Sequence, residues 1–262
     1  MKRWRYVLLV LCTAVISISG TYLMNYFMKS EENKQKYEDI SEIGFPETEA
    51  DHEEENDQQD VKQSEDDFDY QSLIAMNSDC VGWIQIPGTD INYPVVQAAD
   101  NEFYLTHNFN RETAACGAIF MDYRNDVDAK AEHLILYGHQ MKDNSMFKQL
   151  NGYKEEIFYK EHPNIKLYLH EQKYEYEITA VYVTDVANGG GYYNYLHWNT
   201  RKEQLNYLQQ KMAGYQLYDT GKKVMETDEL LSLSTCEYSC DNGRLIVQAR
   251  RKGKTKDGKQ II

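Results

Sequence analysis

Cysteine is scarce in this 262-residue sequence, which contains only five. Cys12 lies in an apolar N-terminal run, so Cys80, Cys116, Cys236 and Cys240 are the cysteines of the remaining chain. Four cysteines are too few to build a disulfide scaffold of this size. The spacing of the last two occurs in zinc-ligand pairs, but no second pair matches it, so we expect no metal. A local disulfide between these two cysteines is an alternative.

A basic surface of the kind that binds nucleic acid is also missing. The net charge is −14, from 42 acidic and 28 basic residues. Between Glu31 and Asp69 there are 17 acidic residues and three lysines, so the rest of the chain carries 25 residues of each sign. The sequence therefore predicts neither a nucleic-acid partner nor a charged funnel for an acidic substrate.

Large apolar side chains are rare in the same acidic stretch. Burial of apolar surface there is too small to offset the entropy of an ordered chain, and the like charges repel each other. We therefore expect residues 29–67 to form a disordered spacer.

A long apolar run is present at the N-terminus. Lys2, Arg3 and Arg5 precede the mostly apolar segment Tyr6–Met28. As a helix this segment would be about 34 Å long at about 1.5 Å per residue, which is enough to cross a bilayer. The basic residues predict that residues 1–28 form a membrane anchor with a cytoplasmic N-terminus. A cleaved signal peptide, with small residues before Gly20, is the alternative.

From residue 68 the sequence contains many short runs typical of strands. The predicted strands cover residues 81–87, 91–97, 117–122, 133–137, 165–170, 174–186, 229–235 and 244–250. About eight strands in one domain, residues 68–262, predict a mainly β (α+β) barrel or sandwich.

Helical patterns occur at residues 68–77, 145–163 and 200–212. In the last of these, Thr200 is a predicted N-cap and Glu203 follows it three positions later. This helix precedes the strand that leads to Cys236, so we expect it to form one wall of a groove beside the thiol.

Three residues at predicted strand ends have complementary chemistry. Cys236 ends one strand, and Arg244 begins the next, so a guanidinium would lie near the thiol and could stabilise a thiolate or an oxyanion. His139 follows Gly138 at the end of the strand 133–137, where it could carry the proton that acyl transfer requires. Each residue alone also has an ordinary structural explanation, as a surface histidine or a packed cysteine.

The same residues occur in motifs that resemble a known family. Leu136–His139, Ser232–Cys236 and Arg244 resemble the motifs of sortases, the membrane-anchored cysteine transpeptidases of Gram-positive bacteria. Val81–Thr89 and Phe120–Asn125 make the resemblance closer to class B. The resemblance covers residues 68–250 and implies a closed eight-stranded sortase-type β-barrel, with an N-terminal helix and a helix inserted before the cysteine-bearing strand.

The resemblance also implies a mechanism. Cys236 would be the nucleophile, His139 the general acid and base, and Arg244 the group that holds the substrate carbonyl. The family cleaves a C-terminal sorting signal of secreted proteins after threonine, with Asn-Pro-x-Thr favoured in class B. An amine on a cell-wall precursor then resolves the thioester, and no cofactor is required. A pilin-polymerising enzyme with a lysine acceptor and a thiol hydrolase without an amine acceptor are the alternatives.

Residues that contact the signal peptide are also implied by motif position. They are Asn101, Leu105, Ser234, Thr235, Glu237 and Tyr193.

Overall fold

The chain divides into two units, residues 1–39 and residues 40–262. The computed structural model describes residues 2–46, 68–127, 132–185, 200–210, 212–239 and 242–253. The helices are α1 (Lys2–Gly44), α2 (Tyr70–Met76), α3 (Glu156–Glu161) and α4 (Arg201–Gln210), with 3₁₀ helices at Phe103–Leu105, Phe147–Lys154 and Met212–Tyr215.

Helix α1 contains the apolar N-terminal run. From Tyr6 onward it is long and apolar enough to cross a membrane, with a mean hydropathy of 2.1 over its best 18-residue window and none of that window buried. This finding is consistent with a membrane-bound protein.

Helix α1 also extends further than we predicted. Residues 29–44 are helical, so the disordered spacer expected from residue 29 is wrong for this part. The segment is rich in good helix formers and contains two ion pairs at i,i+4 spacing, Glu32–Lys36 at 2.8 Å and Lys34–Glu38 at 3.9 Å. Its acidic residues therefore support a helix where we expected repulsion. Residues 47–67 of the predicted spacer lie outside the described part of the chain.

The described residues of the second unit form a closed barrel of eight strands. The strands are β1 (Cys80–Gln85), β2 (Asn92–Val96), β3 (Ile119–Met121), β4 (His133–Tyr137), β5 (Asn164–Leu169), β6 (Gln172–Asp185), β7 (Leu230–Glu237) and β8 (Gly243–Arg251). Their order around the barrel is β1-β2-β3-β4-β7-β8-β6-β5. The β2–β3 and β4–β7 pairs are parallel and the others are antiparallel. The predicted fold is confirmed.

Strand β7 is buried along almost its whole length. Such continuous burial is typical of a strand that is covered on both faces. Helix α4 belongs to an apolar cluster with residues of β6, β7 and β8, whose buried members are Ala180, Tyr182, Leu208, Met212, Leu230 and Ile246. The hydroxyl of Thr200 accepts a hydrogen bond from the Glu203 amide at 3.2 Å, so the predicted N-cap is confirmed.

The predicted helical insertion at residues 145–163 is two helices. A 3₁₀ helix ends at Lys154, Glu155 is extended (φ −101°, ψ 127°), and α3 begins at Glu156. The Phe158 ring covers Gly152 so closely that an added Cβ would lie 2.8 Å from it. The chain therefore folds back on itself at this point, which a continuous helix would not allow.

Candidate active site

The parallel pair β4–β7 determines where the candidate histidine and cysteine lie. Its register runs from His133 opposite Leu230 to Tyr137 opposite Ser234. Because parallel strands leave their pair in the same direction, the segments that follow lie at the same end of the barrel. His139 therefore emerges at the end where β7 carries Cys236.

Cys236 and Arg244 are direct cross-strand partners in the antiparallel pair β7–β8. Side chains of such partners lie on the same face of a sheet, with Cβ atoms about 5 Å apart. Cys236 is a partly exposed free thiol, and Arg244 is partly exposed as well. The guanidinium is held in part by a hydrogen bond from Nη1 to the Gly243 carbonyl at 2.9 Å. The planar, positively charged guanidinium of Arg244 thus lies on the same face of the sheet as the Cys236 thiol.

The His139 ring is oriented by a backbone carbonyl. Its Nε2 lies 2.7 Å from the Leu105 carbonyl oxygen. A carbonyl only accepts hydrogen bonds, so Nε2 carries the proton and Nδ1 has the lone pair of the neutral ring. Among the described residues Nδ1 has no hydrogen-bond partner. This nitrogen is available for proton exchange.

Gly138 and Gly117 allow neighbouring groups to pack closely against the segment that carries His139. A Cβ on Gly138 would lie 2.4 Å from Ile119 Cδ1 and 2.7 Å from the Phe147 ring. Gly117 has φ +59°, and a Cβ there would lie 2.4 Å from the Tyr104 carbonyl oxygen and 3.1 Å from His139 Cδ2. Side chains at either position would displace the segment that carries His139.

No hydrogen bond joins the His139 ring to the Cys236 thiol within the described part of the chain. Catalytic hydrogen bonds are often long without substrate and shorten in the complex. Two other bonds connect the two segments. Thr235 Oγ1 donates to the Gly138 carbonyl at 2.8 Å, and Gln140 Nε2 donates to the Cys236 carbonyl at 2.8 Å.

Gln140 was not singled out by the sequence analysis. Its one signal is its position directly after His139, and a polar residue in a polar loop is uninformative by itself. Thr235, which we expected to contact the peptide, is only 2% exposed, and its hydroxyl is used within the protein.

Asn101 and Leu105 lie on the histidine side of the site. Leu105 is 40% exposed, and its carbonyl holds His139. Asn101 donates from Nδ2 to Asp122 at 3.1 Å and accepts from the Tyr123 amide at 3.0 Å. The side-chain amide of Asn101 therefore has a fixed orientation.

Asp122 is a buried carboxylate with several donors around it. Arg124 donates to it from Nε and Nη2 at 2.8 and 2.7 Å, and the Tyr137 hydroxyl donates at 2.8 Å. Burial opposes ionisation, but the hydrogen bonds from Arg124 and Tyr137 outweigh it and lower the pKa of Asp122. The charged carboxylate thus links Asn101 to the strand that leads to His139.

Ser234 and Glu237 flank the nucleophile region and are both buried. The Ser234 carbonyl accepts from the Gly138 amide at 3.2 Å. Glu237 pairs with Lys154 and accepts from the Ser239 amide at 2.8 Å. Burial raises the pKa of Glu237, but hydrogen bonds from Lys154 and Ser239 have the larger combined effect and lower it. Both residues are therefore part of the framework around Cys236.

Two residues of the sequence analysis cannot be placed. Tyr193 and Cys240 lie outside the residues that the structure describes. Within the described ranges, no group of three or more His, Cys, Asp or Glu side chains is arranged to hold a metal ion.

Comparisons with known proteins agree with this geometry. A family model described as the sortase domain matches residues 84–252. Sortase B of Listeria monocytogenes is 38% identical over 180 residues, which cover 68% of this chain and 72% of that protein. Sortase B of Staphylococcus aureus is 30% identical over 261 residues, which cover 95% of this chain and 97% of that protein.

Solved structures give the same result for the fold. A Staphylococcus aureus sortase B–substrate complex has a TM-score of 0.70 at 30% identity, covering 87% of this chain and 100% of that chain. A crystal structure of sortase B from Bacillus anthracis has a TM-score of 0.69 at 33% identity, covering 86% and 98%.

Proposed function

Because this chain belongs to the sortase family of cysteine transpeptidases, and within it to class B, we propose that Cys236, His139 and Arg244 perform its acyl transfer. The observation that supports this proposal most is the register. Cys236 lies directly opposite Arg244, and the parallel pair β4–β7 delivers His139 to the same end of the barrel.

In the first half-reaction, Cys236 attacks a sorting signal of the Asn-Pro-x-Thr type. The thiolate forms a bond to the threonine carbonyl carbon, and Arg244 stabilises the oxyanion that develops. His139 Nδ1 takes the proton of the Cys236 thiol as the thiolate forms, and the resulting imidazolium gives this proton to the amine of the next residue as the peptide bond breaks. The products are a thioester on Cys236 and a free C-terminal peptide.

In the second half-reaction, an amine of a cell-wall precursor attacks the thioester. His139, now neutral, removes a proton from this amine, and the Cys236 thiolate leaves. The bond from Nε2 to the Leu105 carbonyl keeps the proton-exchanging Nδ1 in one orientation in both halves. The product is an amide that attaches the secreted protein to the cell wall.

For signal-peptide binding we propose Asn101, Leu105, Ser234, Thr235, Glu237 and Tyr193. Leu105 offers exposed apolar surface beside His139. Asn101 has its oxygen occupied by Tyr123 and one N–H by Asp122, so its second N–H is the group that it can offer to a peptide. Ser234, Thr235 and Glu237 are buried, so they would shape the wall of the peptide site beside Cys236.

We also propose that residues 1–28 anchor the protein in the cell membrane with a cytoplasmic N-terminus, so that residues 68–262 act outside. Lys2, Arg3 and Arg5 support this orientation, since basic residues are retained on the cytoplasmic side. The secreted substrates would then pass close to the site as they emerge.

The test is a peptide assay with the full chain in detergent micelles. An Asn-Pro-x-Thr peptide is incubated alone, with triglycine, or with an Nα-acetylated lysine amide, and the products are identified by mass spectrometry. We expect threonine–triglycine ligation that Cys236→Ala abolishes. Hydrolysis at a rate unaffected by triglycine would contradict transpeptidation, and ligation only to a lysine side-chain amine would indicate a pilin acceptor.

A further inference from the structure

We propose that Gln140 is a positioning residue that sets the separation of His139 and Cys236, and that Lys148 fixes the orientation of the Gln140 amide. This inference rests on the proposed function, because it assigns a role within the proton transfer between these two residues.

The starting observation is where the backbone ladder between β4 and β7 ends. The last backbone hydrogen bond runs from the Gly138 amide to the Ser234 carbonyl, at 3.2 Å. Beyond this point, within the described ranges, side chains make the connections. Thr235 bonds to the Gly138 carbonyl on one side of His139, and Gln140 bonds to the Cys236 carbonyl on the other.

The bond from Gln140 is the one that reaches the nucleophile itself. Since His139 and Cys236 share no direct hydrogen bond, their separation depends on the atoms that connect their backbones. Gln140 is adjacent to His139 in sequence and bonds to the carbonyl of Cys236 at 2.8 Å. Among the described residues, it is therefore the side chain of the His139 segment that bonds to Cys236 itself, whereas Thr235 bonds to Gly138.

Lys148 determines which end of the amide faces Cys236. Lys148 Nζ donates to Gln140 Oε1 at 3.1 Å. An ammonium only donates and a carbonyl only accepts, so both bonds are satisfied when Oε1 faces Lys148 and Nε2 faces Cys236. A flipped amide would lose both bonds at once.

The loop that carries Gln140 is closed at its other end. The Phe147 amide donates to the His139 carbonyl at 2.9 Å, and Gln140 is bridged to Met146. The Met146 amide in turn donates to the hydroxyl of the buried Tyr93 at 3.0 Å. Residues 139–147 thus form a small closed loop. The hydrogen bond from Gln140 to the Cys236 carbonyl fixes the position of this loop relative to β7.

Three substitutions separate the parts of this arrangement. Gln140→Met keeps the side-chain length and removes both hydrogen bonds. Gln140→Glu keeps a partner for Lys148 but replaces the N–H donor with an oxygen that repels the Cys236 carbonyl. Lys148→Met leaves the amide in place without the group that orients it. Gln71→Met is the matched control, because among the described residues the side chain of Gln71 bonds only to Glu171 at the surface.

We expect a loss in kcat, since displacing a proton-transfer group by about 1 Å can cost about 10²-fold. For Gln140→Met and Gln140→Glu the expected loss in kcat is about 10-fold to 10²-fold, with KM changed by less than about 2-fold. For Lys148→Met we expect a loss of about 3-fold, because the amide still samples the correct orientation. Gln71→Met should equal the wild type.

A second readout does not depend on the sorting signal. The rate at which iodoacetamide alkylates Cys236 is measured against pH in the full chain by peptide mapping. In the wild type, the profile should contain a step that His139→Ala removes, because the histidine charge favours the thiolate. In Gln140→Met this step should shrink towards the His139→Ala profile while the thermal midpoint stays near that of the wild type.

The outcomes distinguish this inference from the proposed function. An inactive wild type whose alkylation step still depends on Gln140 would contradict the proposed function alone. A Gln140→Met variant with wild-type kcat and an unchanged alkylation profile would overturn the inference. A raised KM with unchanged kcat would also overturn it, since Gln140 would then be a substrate contact.

Discussion

Two histidines close together in the chain, His133 at the start of β4 and His139 just beyond its end, have opposite environments. His133 is 2% exposed and lies between Ser232 Oγ at 2.9 Å from Nε2 and Gln204 Nε2 at 3.2 Å from Nδ1. His139 is partly exposed and, within the described part of the chain, its ring is bonded at Nε2 alone. In this protein, the buried His133 has both ring nitrogens in hydrogen bonds within the protein, whereas His139 Nδ1 is open for proton exchange among the described residues.

The electrostatic environment of His133 agrees with a structural role. Burial, together with the positive charge of nearby Arg201, lowers the pKa of His133 to about 3. Gln204 Oε1 accepts from Arg201, so Gln204 Nε2 donates to Nδ1 of the neutral His133 ring. His133 therefore connects helix α4 to β4 and β7 as an uncharged hydrogen-bonding group and takes no part in proton transfer at neutral pH.

Substitution of the reactive histidine should have the largest effect. His139→Ala removes the proton carrier, so we expect kcat/KM for peptide ligation to fall by about 10³-fold or more. The thermal midpoint should change little, because the ring is partly exposed and has one side-chain bond. Steady-state kinetics and calorimetry on the same sample check both statements. An active His139→Ala variant would remove the distinction between the two histidines.

Substitution of the cation opposite the thiol should have the next largest effect. Arg244→Lys keeps the charge and loses the planar fork, so we expect kcat/KM to fall by about 10²-fold. Its stability should be nearly unchanged. Ligation kinetics with the same peptide measure the loss, and wild-type rates would exclude Arg244 from oxyanion stabilisation.

The structural histidine should show the reverse pattern. His133→Ala leaves the Ser232 hydroxyl and the Gln204 amide without this partner in a buried site and opens a cavity, so we expect a loss of about 2–3 kcal/mol in the free energy of unfolding. Activity per folded molecule should remain. Urea unfolding and active-site titration test this, and His139→Ala is the matched control. Unchanged stability would contradict the structural role.

The pH dependence of stability should show the smallest effect of the four. The unfolded state binds a proton at His133 with a pKa of about 6.5, whereas the folded state does so near 3. The contribution of neutral His133 to the free energy of unfolding is therefore complete above about pH 6.5 and is lost progressively as the pH falls towards 3. Between pH 7 and pH 5, protonation of His133 in the unfolded state should lower the free energy of unfolding by about 2 kcal/mol.

Urea unfolding at several pH values measures this loss. His133→Gln is the control, because it keeps hydrogen-bonding capacity and does not titrate. Its stability should fall less between pH 7 and pH 5 than that of the wild type. Parallel curves for the two proteins would show that His133 does not contribute.

Most of the barrel could be predicted from the sequence, but fewer of the contacts at the end of the barrel that carries Cys236 and His139 could be. Strand β4 was predicted with its observed bounds, and the N-cap at Thr200 was identified, because alternation and capping are local patterns. The Leu105 carbonyl that orients His139 left no signal, since every residue has a carbonyl. The link from Gln140 to Cys236 joins residues that the fold brings together across 96 positions.

Helix α1 shows a different limit. Its continuation to Gly44 contains ion pairs such as Glu32–Lys36, whose effect we counted only as part of a net charge. Each ion pair at i,i+4 spacing stabilises a helix by about 0.2–0.5 kcal/mol, which a count of net charge does not register.

The central claim is that Cys236 carries the acyl group between a sorting signal and an amine. The direct measurement is the intact mass of the full chain, quenched in acid after brief mixing with an Asn-Pro-x-Thr peptide, followed by peptide mapping. We predict an adduct equal to the peptide portion that ends at threonine, located on Cys236, which disappears within one turnover when triglycine is added. An adduct on another residue, or one that triglycine does not discharge, would contradict the claim.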